Sequence, residues 1–231
     1  MKTLGIDTSS LACSCALVED GVLRSECFLH AGLTHSRTLT TLLRQTLGQA
    51  GVSPKDLDRI AVCVGPGSYT GLRIGVSAAK GFAMANGTPC VGVSTLLSLA
   101  QNVVCRDGTV CAVLDARAGQ VYAALFEIQN GRITRLIKDD DMTLDALGTL
   151  LPNGCLVVGD GTALVVGAFP EKHLLAAPAA LRYQRASSAA LLSEGMEAAP
   201  AALLLPDHHR KPQAEREREA RLAQKTPKRA E

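Results

Sequence analysis

The chain contains no tryptophan, and only 3% of its 231 residues are aromatic. A protein that reads unpaired bases by itself stacks them on aromatic rings, so this composition argues against an autonomous single-strand RNA reader. No pair among the eight cysteines has the C-x-x-C spacing of a zinc site. No Walker-type G-x-x-x-x-G-K-[ST] run and no G-x-S-x-G nucleophile elbow occur. No apolar run reaches the 18 or so residues of a membrane helix, and no signal peptide is read at the start. Charge of one sign is also missing. The net charge is +2, and residues 207–231 alone carry +3, which leaves −1 for residues 1–206. The body is therefore no polyanion-binding surface by charge alone.

What is present is an ordinary globular composition, 47% hydrophobic and 20% charged. The core must be built from Ala, Val, Leu and Gly. Cys13, Cys15, Cys63, Cys90, Cys111 and Cys155 sit in or beside short apolar runs. They read as small buried hydrophobes in a reducing compartment, so a cytoplasmic protein is expected.

The most informative stretch is Val64-Gly65-Pro66-Gly67-Ser68-Tyr69-Thr70-Gly71-Leu72-Arg73-Ile74-Gly75. An apolar strand at 60–64 runs into a Gly-Pro-Gly turn, and Ser68 or Thr70 can cap the helix that follows, expected over 71–86. Gly71, Gly75, Ala78 and Phe82 recur at helical spacing, so one helix face is nearly bare. Glycine inside a helix costs ~0.5–1 kcal/mol relative to alanine. Close approach of another backbone would offset that cost. Internal packing is one reading of the bare face, and a docking surface is the other.

The order of elements repeats. Strands at 2–7, 11–18 and 22–29, with a hairpin turn at Glu19-Asp20-Gly21, lead to a helix over 35–49. A short helix started by Ser53-Pro54, with Ser53 as its cap, the strand at 60–64, the glycine-motif helix, a strand at 90–93 and a helix over 95–104 complete the first set. Strands at 109–114, 120–128 and 132–137, a helix over 143–151, a strand at 155–159 and an Ala-rich helix over 187–198 form the second. Each first strand ends near an aspartate, Asp7 and Asp115. The shared order implies an α/β protein with two related lobes, residues 1–105 and 106–206. A charged tail over 207–231 reads as partly helical or disordered.

The glycine motif, the opening Leu4-Gly5-Ile6-Asp7-Thr8-Ser9 and Leu114-Asp115-Ala116-Arg117-Ala118-Gly119-Gln120-Val121-Tyr122 together resemble the TsaB (YeaZ-like) family, over roughly residues 1–210. That family acts in threonylcarbamoyladenosine synthesis on tRNA. The resemblance implies the two-lobed, ribonuclease H-like fold shared by actin, sugar kinases and heat-shock chaperone ATPases. It also implies a scaffold without catalytic residues of its own. Such a protein binds and organises the transferase TsaD with the ATPase TsaE, meets tRNA through the complex, and forms a homodimer when alone.

In that fold the turn after the first strand helps to hold a metal-bound nucleotide. Asp7, Thr8, Ser9 and Asp115 are therefore the positions for a vestigial nucleotide site, with weak ATP or ADP binding and no required cofactor. The alternative for Asp7 and Thr8 is a strand-end turn closed by their own side chains. The second turn, Ala116-Arg117-Ala118-Gly119, has one glycine and an arginine, which is a poor phosphate cradle. Gly159-Asp160-Gly161 is a candidate nucleotide-side loop, with a plain turn as the favoured reading. The transferase TsaD binds its metal with two histidines one helical turn apart. Here His35 is followed at that spacing by Leu39, so no metal site is expected. His208-His209 is placed in the tail, where no metal binding is expected either. The partner interface is expected on the two helices 35–49 and 71–86, through His35, Leu39, Leu42, Leu43, Gly71, Leu72, Gly75, Ala78, Ala79 and Phe82. The rival reading is a stand-alone small-molecule kinase or ATPase of the same fold. A peptidase lacks both a metal pair and a nucleophile elbow.

Overall fold

The computed structural model describes residues 1–210, so residues 211–231 of the charged tail lie outside the described residues. Two five-stranded mixed sheets form the frame. In the first, β1 (Lys2–Asp7), β2 (Cys13–Glu19) and β3 (Val22–Leu29) form an antiparallel meander. β4 (Arg59–Gly65) and β5 (Cys90–Ser94) add in parallel on the other side of β1, giving the order β3-β2-β1-β4-β5. The second sheet repeats it. β6 (Gly108–Arg117), β7 (Gln120–Gln129) and β8 (Arg132–Thr143) form the meander, and β9 (Leu156–Val158) and β10 (Leu175–Ala176) follow, in the order β10-β9-β6-β7-β8. A duplicated sheet of this order is the ribonuclease H-like arrangement of the actin and sugar-kinase fold.

Helices cover the sheets. α1 (His35–Gln49) and α2 (Tyr69–Asn86) close one core over the first sheet through Leu39, Leu42, Leu43, Leu47, Val76 and Ala79. Ser68 caps α2, its Oγ accepting from Gly71 N, and Gly87 ends the helix in the left-handed conformation. α3 (Thr95–Gln101), capped by Ser94, packs on the second sheet through Leu96 and Leu99. α4 (Leu144–Leu150) and α5 (Thr162–Ala168) cover its other face.

Several boundaries differ from expectation. α3 stops at Gln101, beyond which Asn102, Val103 and Val104 N each donate three residues back, to Leu99, Ala100 and Gln101 O, and the Asn102 side-chain amide donates to Leu181 O and Tyr183 O. β8 runs on to Thr143, absorbing two register shifts against β7. α5 has no counterpart in the sequence reading, because a seven-residue Val/Gly/Ala run lacks helical periodicity. The Ala-rich helix α6 covers only Ala186–Ser193, since the chain then turns to pair Ala199 with Cys90 on β5. Moreover α6 packs on β1, β2 and β4 of the first sheet, although it falls within the expected second lobe, 106–206. Gly5 permits this, because a Cβ there would lie 2.1 Å from Ala186 O.

Six of the eight cysteines are buried, Cys27 is half-buried and Cys105 is exposed. Burial pushes the Cys13 thiol up to about 11 and the Cys155 thiol up to about 12, and raises Cys15, Cys63 and Cys111 strongly. Titration with Ellman's reagent at pH 8 should therefore show one fast thiol in the native protein, removed by Cys105→Ser, and eight after denaturation. Four or more fast thiols would show the cores to be open.

Candidate functional site

The turn after β1 is closed, not open. Asp7, Thr8 and Ser9 are each 0% exposed. Asp7 Oδ1 accepts from Ser9 N at 2.8 Å and Ser9 Oγ at 2.6 Å. Asp7 Oδ2 is buried without a hydrogen-bond partner, and the Cys63 thiol lies near the carboxyl. Burial raises the Asp7 carboxyl above its ordinary value, against the lowering pull of the Cys63 and Ser9 donors. Thr8 Oγ1 donates to Gly71 O at 2.7 Å, and Ser68 N donates to Ser9 O at 2.7 Å. Asp7 and Thr8 thus close a strand-end turn with their own side chains.

That turn occupies the bare face of α2. A Cβ at Gly71 would lie 2.1 Å from Thr8 O, one at Gly75 2.4 Å from Thr8 Oγ1, and one at Gly67 2.3 Å from Ser9 O. The glycines admit the chain's own loop, so the expected docking role for that face is corrected. Gly71, Leu72, Gly75 and Ala79 are buried, as are Leu39, Leu42 and Leu43 of α1, which point into the core over the first sheet. Of the seven only Leu39 reaches a surface, as part of the lining of the groove between the two helices, and the other six offer none. His35, Ala78 and Phe82 are partly exposed. His35 opens α1 and its Nε2 donates to Ser10 O at 2.7 Å.

The two helices present a different face outward. An open groove of about 570 Å³ runs between them, lined by Ser36, Thr40, Tyr69, Arg73, Ile74 and Ser77 among others. Ser36, Thr40, Arg73 and Ser77 are exposed, and Met84, further along α2, is 76% exposed.

The second turn meets the first through Asp160. Ser10 Oγ donates to Asp160 Oδ2, and Asp115 N donates to Asp160 Oδ1 at 2.8 Å. Gly159, at φ +120°, makes this approach feasible, since a Cβ there would lie 1.9 Å from Val113 O. Burial raises the Asp160 carboxyl above its ordinary value. Asp115 is exposed, and its Oδ1 accepts from Arg117 N at 2.7 Å, steadying a turn in which Arg117 and Ala118 take φ of +64° and +53°. Asp160 thus joins the first turn, through Ser10, to the second, through Asp115 N. Asp7 and Asp115 each accept hydrogen bonds within their own turn, from Ser9 and from Arg117 N. No group of three His, Cys, Asp or Glu suited to a metal occurs among the described residues.

Sequence reasoning missed the bridge made by Asp160 and the pairing of half-buried Tyr69 with exposed Arg73. Two glycines around Asp160 were the signal for the first. Nothing in the pattern marked the second, because Tyr69 and Arg73 sit on the far side of the same glycine helix.

Known proteins share this architecture and this sequence. The family model for TsaD, tRNA N6-adenosine threonylcarbamoyltransferase, matches residues 30–193. The tRNA threonylcarbamoyladenosine biosynthesis protein TsaB of Bacillus subtilis is 34% identical over 222 residues, 93% of this chain and 96% of that protein. TsaB of Escherichia coli is 38% identical over 129 residues, 55% of each chain. The solved structure of YeaZ from Pseudomonas aeruginosa superposes with a TM-score of 0.73 at 27% identity, covering 89% of this chain and 98% of that one. With 34% identity to one TsaB over nearly the full length of both chains, the matching transferase-related family model and the YeaZ architecture together, the chain belongs to the TsaB/YeaZ family of tRNA threonylcarbamoyladenosine biosynthesis proteins.

Proposed function

We propose that this chain is the non-catalytic partner subunit that binds and organises a TsaD-type transferase, together with a TsaE-type ATPase, in forming threonylcarbamoyladenosine beside the tRNA anticodon. It pairs with a second copy of itself when alone, meets tRNA through the complex, and acts in the cytoplasm. Family membership supports the pathway. The observation that carries the partner role is the groove between α1 and α2, which combines exposed hydroxyls and Arg73 with the partly covered Tyr69 and Ile74. A mixed surface around an aromatic and an arginine is the usual make-up of a protein-binding site. Chemistry lies in the partner, because the turns at 7–9 and 115–119 hold their carboxylates in internal hydrogen bonds. Nucleotide, if bound at these turns, is held weakly and is not required. Among the described residues no helix is long and apolar enough to cross a membrane.

Co-expression with a TsaD-family protein followed by size-exclusion chromatography tests this. The two should co-elute. Ser77→Trp, which places a large ring in the groove, should weaken the pair about a hundredfold, equivalent to ~2.8 kcal/mol. Its melting point should barely move, since exposed substitutions cost under ~0.5 kcal/mol. Separate elution of the wild-type proteins, or unchanged binding by Ser77→Trp, would place the interface elsewhere.

A further inference from the structure

The last described residues cross from one sheet to the other. Leu204 is buried in the core over the first sheet. Asp207 N donates to Val64 O at 2.7 Å. Asp207 O lies against Gly65, which sits at φ +144° and where a Cβ would come within 2.1 Å of it. The glycine thus serves twice, supplying the positive φ of the turn and seating this segment. His208 then stacks on Tyr69, ring centroids 4.1 Å apart and 24° from parallel. The Arg73 guanidinium lies 4.3 Å from the centre of the same Tyr69 ring. His208 Nε2 is buried without a hydrogen-bond partner, so stacking is what holds the ring. Beyond His208 the contacts change sheet. His209 meets Tyr122 of β7 edge-on at 6.4 Å. Arg210 Nη1 donates to Ala116 O at 2.9 Å, and its Nε lies 3.8 Å from Asp141 Oδ2 on β8.

One segment of four residues therefore touches both a wall of the α1–α2 groove and the turn at 115–119. We propose that Asp207–Arg210 is a clasp that couples the groove to that turn. Seated, it holds Tyr69 and Arg73 in the arrangement a docking partner meets. Released, it lets the groove wall and the turn at 115–119 loosen together. The docking half of this proposal rests on the reading of the groove given above. The two states differ in named contacts: the Asp207 backbone bond, the His208–Tyr69 stack and the Arg210–Ala116 bond. So few contacts open at a lower free energy than a core element, which is the condition for a segment that responds to a partner. His208 and Arg210 act at opposite ends of the clasp, and this separates coupling from local loosening.

Hydrogen exchange on the full chain reads the clasp without any partner. Arg210→Ala removes a side chain that touches only the second sheet. It should raise exchange about tenfold in peptides around Val64–Arg73 as well as around Asp115–Tyr122, with the strand cores unchanged. His208→Ala should do the same from the other end, and His208→Tyr, which keeps a ring on Tyr69, should restore protection. Changes confined to the mutated end would overturn the clasp. Titration calorimetry with a TsaD-family protein reads the docking half. Arg210→Ala, which does not touch the groove, should weaken binding by about three- to tenfold. Unchanged affinity would overturn the coupling to docking. A wild-type chain that binds no such protein overturns the docking reading itself, and the exchange data then decide the clasp alone.

Discussion

Gly75→Leu should cost this protein its fold rather than a partner. The position is buried on the face of α2 that receives the Asp7–Ser9 turn, and a Cβ there would already lie 2.4 Å from Thr8 Oγ1 and 3.5 Å from Val62. Overpacking a fitted contact costs ~1–3 kcal/mol. Displacing Thr8 also breaks its bond to Gly71 O, and a buried group left unpaired costs a further ~1–3 kcal/mol. Together these remove much of the ~5–15 kcal/mol that holds a typical domain. A thermal melt should show a fall of roughly 2–4 °C per kcal/mol lost, or no cooperative transition at all. Gly81→Leu on the same helix is the control. Gly81 has nothing within 4 Å of its absent Cβ, so leucine should leave the melt unchanged or raise it by the ~0.5–1 kcal/mol that glycine costs a helix. Equal melts for the two variants would show that the glycine face is not packed.

Asp7→Asn should stabilise the protein at neutral pH. Asp7 is 0% exposed, and burial raises its carboxyl above the ordinary value. A carboxyl raised in the folded state contributes stability that is fully present below its unfolded value, near 3.9, and is lost as pH rises through the folded value. At pH 7 the wild-type protein therefore carries a cost that an amide does not. Asparagine keeps an oxygen for Ser9 N and Ser9 Oγ, and its NH₂ offers Cys63 a donor where Oδ2 has no nitrogen or oxygen partner. The gain should be about 1–3 kcal/mol, the usual cost of an unsatisfied buried polar group. It should shrink as the pH of the melt is lowered, because the folded wild-type carboxyl takes up its proton above its ordinary value and the burial cost of the charge then disappears. A variant less stable than wild type at pH 7 would mean that the Asp7 charge is compensated in the folded protein.

The contrast between these two positions shows how far local pattern carries. The helix over His35–Gln49 matched its apolar spacing, and the hairpin at Asp20-Gly21 and the caps at Ser68 and Ser94 followed from residue type. Each depends on neighbours within a few positions, whose chemistry is visible in any short window. The bare face of α2 was equally visible, but what fills it lies more than sixty residues away at Thr8. Packing against a remote turn and packing against a partner leave the same glycines behind.

The sequence by itself determined the element order apart from α5 and β10, the duplicated architecture, the buried cysteines, the family and the positions of both turns. Only the tertiary structure decided that α2 turns its glycines inward, that Asp160 joins Ser10 to Asp115, that α6 returns to the first sheet, and that Asp207–Arg210 spans both sheets. The physical reason is range. Helices, hairpins and caps are set by bonds between near neighbours, whereas the choice of buried face and cross-sheet contact is set by shape and unpaired polar groups meeting across 60 to 170 residues of chain.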